Sequence, residues 1–219
     1  MYMEEIHRYQ KHGVAHIVGV DIKAAGSQLC WPAVSVGFCH ATYDLVTRVL
    51  TFVELKRFDI KVDLDQFEPK CYEELWKYRL DTYNFMQETA QPYDQAAHHI
   101  THYLQELLNE HPDIIIISDN IAFDMYRLNA ILESQGKDPI SDRPNQTHQA
   151  PVDISELERT LAIVRSAQDG WQRHIKSSLF SSFTDSCPIK NDHHLPEQTA
   201  AEICWKYTHF IEELQKYKR

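Results

Sequence analysis

Val14 to Val20 (VAHIVGV) is a short apolar run that stops at Asp21, which predicts a buried first strand. Beyond the Gly26-Ser27 turn, Ala33 to Phe38 (AVSVGF) alternates small and apolar residues and predicts a second. Asp44 to Leu55 (DLVTRVLTFVEL) is dense in β-branched and aromatic residues and predicts a third. The polar stretch His40 to Tyr43 between them predicts an antiparallel hairpin. From Pro69 the pattern turns helical. Cys71 to Tyr78 predicts one helix, and Asp94 to Glu110 a clearly amphipathic one, with Ile100, Tyr103, Leu104, Leu107 and Leu108 on one face. After the breaker His111-Pro112-Asp113 come four isoleucines, Ile114 to Ile117. An apolar run without polar alternation predicts a strand covered on both faces. Phe123 to Glu133 predicts a helix ending near Gly136, and residues 137–152, with three prolines, predict a loop. Ile154 to Arg165 is read as helix and Lys176 to Pro196 as irregular. A last helix starts at about Pro196, where proline suits the first turn.

A hairpin of strands followed by helices alternating with a buried strand predicts an α/β fold, a mixed sheet flanked by helices. The 219 residues suit a single domain, 1–219, with 1–13 as an N-terminal extension. No run approaches the roughly 18 apolar residues of a membrane span, and Glu4-Glu5 stand where a secretory signal carries bases. The five cysteines never form a CxxC pair, which predicts reduced thiols in a cytoplasmic or nuclear protein. A net charge of −10 argues against holding long duplex DNA, which needs a basic face, but not against a cleft that admits a single-stranded end. Lys56-Arg57, Lys61, Lys77, Arg79, Arg173 and Lys176 are read as solvated surface bases.

Candidate chemistry lies in three places. Asp21-Ile22-Lys23-Ala24-Ala25-Gly26 puts an acid at the end of the first strand; Asp119-Asn120-Ile121-Ala122-Phe123-Asp124 puts another at the head of a helix that follows a buried strand. His193-His194-Leu195-Pro196-Glu197-Gln198-Thr199 opens the last helix. In order and spacing these resemble the motifs of DEDD-type 3′–5′ exonucleases with a histidine base, of the ribonuclease-H-like superfamily. The resemblance is nearest to a branch found in large DNA viruses and protists. That branch also has segments like Phe67-Glu68-Pro69-Lys70-Cys71-Tyr72-Glu73-Glu74-Leu75-Trp76 and Ala150-Pro151-Val152-Asp153-Ile154-Ser155. The similarity runs from about Val14 to Tyr207.

The resemblance implies a ribonuclease-H-like exonuclease fold and a site where carboxylates hold two magnesium-class ions across a phosphate, with a histidine as general base. Asp21 and Asp124 match metal ligands and His194 matches the base. The second acid of the first motif is here Lys23, and the last aspartate is here Thr199. Glu202, three residues beyond Thr199 and on nearly the same helix face, is the substitute ligand to weigh. An ammonium about 4 Å from a divalent ion is repelled by several kcal/mol even at an effective dielectric near 20. Beside Asp21 and Asp124 the same ammonium is well paired.

The favoured expectation is therefore an exonuclease-fold protein whose two-metal site is degenerate, a non-catalytic module binding single-stranded nucleic-acid ends or a protein. One rival is an active exonuclease on DNA or RNA ends with altered ligands, needing magnesium or manganese. Another is a structural or virion-associated protein that inherited the fold. His98 and His102, four apart on a helix, have a zinc-compatible spacing, but a solvated helix face is the favoured reading. Trp76 and Tyr78 are read as core or groove aromatics rather than base-stacking platforms.

Overall fold

The computed structural model describes residues 13–26, 31–63, 79–140, 151–157, 159, 161, 186–190 and 194–216. Five strands, β1 Val14–Ala24, β2 Ala33–Asp44, β3 Leu50–Asp59, β4 Ile115–Ser118 and β5 Val152–Asp153, form one sheet in the order β3-β2-β1-β4-β5. The β1–β2 and β2–β3 pairs are antiparallel, and β1–β4 and β4–β5 are parallel. Among the described residues the longer helices are α1 Leu80–Glu88, α2 Tyr93–Glu110, α3 Ile121–Ser134 and α4 Pro196–Lys216. This is the mixed sheet flanked by helices that the patterning predicts.

Side chains of β1 and β2 alternate between two cores, as the pleat requires. Val18, Val20, Ile22, Val34, Val36 and Phe38 pack with Ile100 and Leu104 of α2 and with Leu128 of α3. Ile17, Cys39, Ala41 and Tyr43 pack on the other face with Ala200, Cys204 and Phe210 of α4. Buried on both faces, β4 sits between β1 and β5. Where α4 crosses the sheet it leaves no room for side chains: a Cβ at Gly19 would lie 2.3 Å from the Ala200 carbonyl oxygen, and one at Gly37 would lie 2.2 Å from the Glu197 nitrogen.

Four sequence expectations need correction. The first strand does not stop at Asp21 but runs to Ala24, because Asp21 and Lys23 pair across to Gly37 and Ser35. The hairpin turn is not at His40 to Tyr43, which belong to β2, but at residues 45–49. Asp44 makes that turn without glycine or proline, since its carboxylate accepts from the backbone N–H groups of Val46 and Thr47, both at 2.8 Å. Helix α1 lies where no helix is predicted, and Val152, expected as the last residue of a loop, pairs with β4 together with Asp153. The predicted helix 71–78 lies outside the described residues, as does most of 176–196; residues 154–157 are helical, as expected. No helix among the described residues is long and apolar enough to cross a membrane.

Candidate active site

Asp21 and Lys23 sit two apart on β1 and so share the face turned to α4. The Lys23 ammonium lies 2.8 Å from Asp21 Oδ2, with the two side chains only 19% and 13% exposed. It also donates to Thr199 Oγ1 at 3.4 Å, and that hydroxyl donates in turn to the Leu195 carbonyl one turn earlier in α4. The first motif and the last helix thus meet through the lysine.

Asp124 arrives from the other side of β1. Asn120 caps α3 by accepting from the Phe123 N–H at 3.2 Å, which puts Asp124 in the first turn, where an acid complements the helix dipole. β4 ends at Ser118, opposite Val20, so the next inward N–H of β1, that of Ile22, has no strand partner. Asp124 Oδ1 accepts from it at 3.1 Å, and Oδ2 accepts from the Ser118 hydroxyl. The buried carboxylate thereby continues the sheet's hydrogen bonding past the end of β4.

Burial, then the charge of Asp21, push the Asp124 carboxyl up to about 7, against the opposing effects of the Ser118 and Ile22 hydrogen bonds and of Lys23. Burial also raises Asp21; Lys23 counters this, while Asp119 and Glu202 add to it. Glu202 therefore lies within electrostatic reach of Asp21. Asp119 is itself paired with Lys206 at 3.5 Å. His194 is largely exposed, at a left-handed φ of 53°, and desolvation followed by the cations Arg79 and Lys23 lowers its pKa. The positions singled out in the sequence, Asp21, Lys23, Asp124, His194, Thr199 and Glu202, thus gather at one end of β1. His193 and Asp192 lie outside the described residues.

A neighbouring network was not legible in advance. Arg57, read as a surface base, is instead clamped between Asp59 at 3.0 Å and Glu197 of α4 at 3.1 Å, with its guanidinium over the Phe85 ring. Ser35 and Thr89 both donate to Asp59, each at 2.6 Å. Ser35 faces Lys23 across the strand pair, so this network continues the polar strip that begins at Asp21. The usable signal was the spacing of Arg57 and Asp59, two apart on a strand and so on one face.

The raised acids predict a pH dependence. An unfolded aspartate loses its proton near 4, whereas native Asp124 holds its own to about 7. The native state then binds more protons between those values, and stability falls as pH rises through that window. Denaturant unfolding at pH 5 and pH 8 should show Asp124→Asn shrinking the difference by about 2–3 kcal/mol, at about 1.4 kcal/mol for each unit of the window crossed. An unchanged difference refutes a protonated native Asp124.

No protein-family model and no curated relative matches the sequence. Solved structures do. E. coli exonuclease I with single-stranded DNA and zinc superposes with a TM-score of 0.59 at 13% identity, over 93% of this chain and 41% of that one. Exonuclease I with a dT13 oligonucleotide gives 0.56 at 16% identity, over 93% and 41%. Cell-death related nuclease 4 gives 0.52 at 11% identity, over 93% and 64%. The chain spans about two-fifths of the exonuclease I chains it matches. At these identities the likeness establishes the fold, an α/β ribonuclease-H-like exonuclease fold.

Proposed function

We propose that this chain is an exonuclease-fold module that holds a single-stranded nucleic-acid end, or a protein segment, without hydrolysing it. The observation that carries the reading is the Lys23 ammonium, 2.8 Å from Asp21 and 3.4 Å from Thr199, between the two positions where the motif pattern has metal-holding acids. The residues present do not fit a pair of divalent ions. One ion about 4 Å from Lys23 would be repelled by about 8 kcal/mol at an effective dielectric of 20, and the acids that would offset this are replaced by a lysine and a threonine. The lysine neutralises Asp21 in place of a metal, and Asp124 is engaged by Ser118 and the Ile22 N–H. Arg79 and the Asp21-paired Lys23 both act electrostatically on His194, so cations stand at this end of the sheet for a phosphate to meet despite the net −10. The exonuclease I structures, which hold single-stranded DNA, lend weight to a single strand as occupant.

On the same footing, we take 1–219 as one domain with 1–13 as an extension, nearest to the branch of large DNA viruses and protists. We also take it to be a cytoplasmic or nuclear protein, on its cysteines without a CxxC pair. The placement of Glu202 near Asp21 favours a second reading, an active 3′–5′ exonuclease in which Asp21, Asp124 and Glu202 hold magnesium or manganese and His194 is the base.

Both readings meet in one assay, in which short end-labelled DNA and RNA single strands are mixed with the protein in magnesium or manganese. The expected result is an anisotropy rise on binding with no shortening of the label. The altered site should leave at least a hundredfold to a thousandfold less cleavage than one with its electrostatic groups intact. Robust cleavage that Asp124→Ala abolishes would establish the second reading. Neither binding nor cleavage would point to a structural protein that inherited the fold.

A further inference from the structure

On the opposite face of the sheet and at its other end, three histidines far apart in sequence meet. His16 on β1 and His40 on β2 are diagonal cross-strand neighbours, since His16 pairs with Thr42 and His40 with Val18. His111 is the C-cap residue of α2, held there by its N–H donating to the Leu107 carbonyl. His16 Nδ1 lies 3.1 Å from His40 Nε2. One ligand atom from each of the three lies within 4.8 Å of the others. His16 is five residues from Asp21 along β1, about 16 Å at strand rise, and points the other way. The cluster is therefore separate from the carboxylates around Lys23.

We propose that His16, His40 and His111 form a binding site for one zinc-class divalent cation. Zinc–imidazole bonds of about 2.0–2.1 Å at tetrahedral angles put ligand nitrogens about 3.3 Å apart. The His16–His40 pair already has that spacing, and the shared hydrogen is what a cation displaces. His111 now stacks on His16, with ring centroids 3.8 Å apart and planes at 17°. To present its nitrogen it must turn edge-on, and a half-buried residue at a helix end can do so without disturbing the core. An imidazole trio selects zinc, cobalt, nickel or copper over magnesium, which prefers oxygen.

One further observation favours a ligand over mere packing. Opposite His40 the β2–β3 register shifts, so that Glu54 pairs with His40 while Phe52 pairs with Ala41. The bulge sets the Glu54 carboxylate, which also pairs with the Lys56 ammonium at 2.9 Å, across the strand from His40. Three protein ligands leave the fourth position to water. The site would tie the starts of the β1–β2 ribbon to the α2–β4 connection.

The full chain, freed of metal by chelation, is titrated with zinc in a calorimeter and with cobalt in a spectrophotometer. One equivalent should bind, the cobalt form showing the intense visible bands of tetrahedral coordination and the zinc form a raised melting temperature. His111→Gln, chosen because its half-buried ring can be replaced without a core cavity, should weaken zinc binding about a hundredfold or more, above the loss from removing a supporting partner. Circular dichroism confirms that it is folded. His98→Gln with His102→Gln, on the exposed face of α2, and Asp124→Asn should bind like wild type, and excess magnesium should not displace zinc. The proposal fails if folded wild type binds no zinc. It also fails if His111→Gln binds as tightly as wild type, or if the His98/His102 or Asp124 variant is the one that loses binding.

Discussion

Lys23→Glu with Thr199→Asp should turn a chain that gives no magnesium heat in a calorimeter into one that binds the ion at millimolar concentration or better. The pair of changes makes the local charge more negative by three, and it removes the ammonium now 2.8 Å from Asp21. Each unit charge about 4 Å from a divalent ion is worth several kcal/mol at an effective dielectric of 20. Even after desolvation takes most of it, about 4 kcal/mol remains, which corresponds to a millimolar dissociation constant. Without metal the same variant should melt below wild type, because the two introduced carboxylates then crowd Asp21 and Asp124 with no cation among them. Magnesium should restore the melting temperature, since a ligand that binds only the folded state stabilises it. Adding Asp124→Ala to the double variant should abolish both effects. Equal magnesium binding by wild type and the double variant would refute Lys23 as the metal's replacement. Any strand shortening gained by the double variant would be read with His194 as the base.

Much of the scaffold was legible because its strongest signals are periodic. The four isoleucines of Ile114 to Ile117 mark a strand with helices on both sides, and the apolar stripe of α2 marks its buried face, with Ile100, Leu104, Leu107 and Leu108 all buried. The hairpin was misplaced because its turn uses an aspartate carboxylate as an acceptor for two N–H groups, a device carried by one side chain and invisible to composition. Strand β1 was cut short because a charged residue was read as a boundary. Asp21 and Lys23 stay in the strand because each has a partner on the α4 face, a fact of tertiary packing rather than of local propensity.

At the site, the residue types and their spacing pointed to Asp21, Lys23, Asp124 and Thr199, and the contacts between β1, α3 and α4 bring those residues together. Their chemical roles rest on the tests above. Two features were missed. Arg57 was read as a surface base: its spacing to Asp59 was a local signal, but nothing local shows that Glu197, 140 positions on, covers it. The histidine cluster draws on three elements, so no spacing rule finds it. Period-two reading does put His16 with Val18 and Val20, and His40 with Phe38, on one face of the sheet, but the third member depends on where α2 ends.

Replacing either glycine beneath α4 should be among the most damaging single changes to the fold. A Cβ at Gly19 would meet the Ala200 carbonyl oxygen at 2.3 Å and Cys204 Sγ at 2.9 Å; one at Gly37 would meet Pro196 and Glu197 backbone atoms at 2.1–2.5 Å. Most of these neighbours are helix backbone, so a rotamer change cannot relieve the overlap and α4 must lift from the sheet. Overpacking costs typically 1–3 kcal/mol, and a backbone clash belongs at or above the top of that range. Against a domain stability of roughly 5–15 kcal/mol, about 3 kcal/mol is a large share. Gly136→Ala is the informative control. Gly136 has φ of 66° and nothing within 4 Å of the added carbon, so only the left-handed strain of about 1–2 kcal/mol applies. Urea unfolding should rank Gly19→Ala and Gly37→Ala below Gly136→Ala. Because α4 carries Glu197 and Thr199, Gly37→Ala should also loosen the clamp on Arg57 and weaken single-strand binding, whereas Gly136→Ala should leave binding unchanged. If all three variants lose the same stability, the close seat of α4 on β1 and β2 is not what those glycines provide.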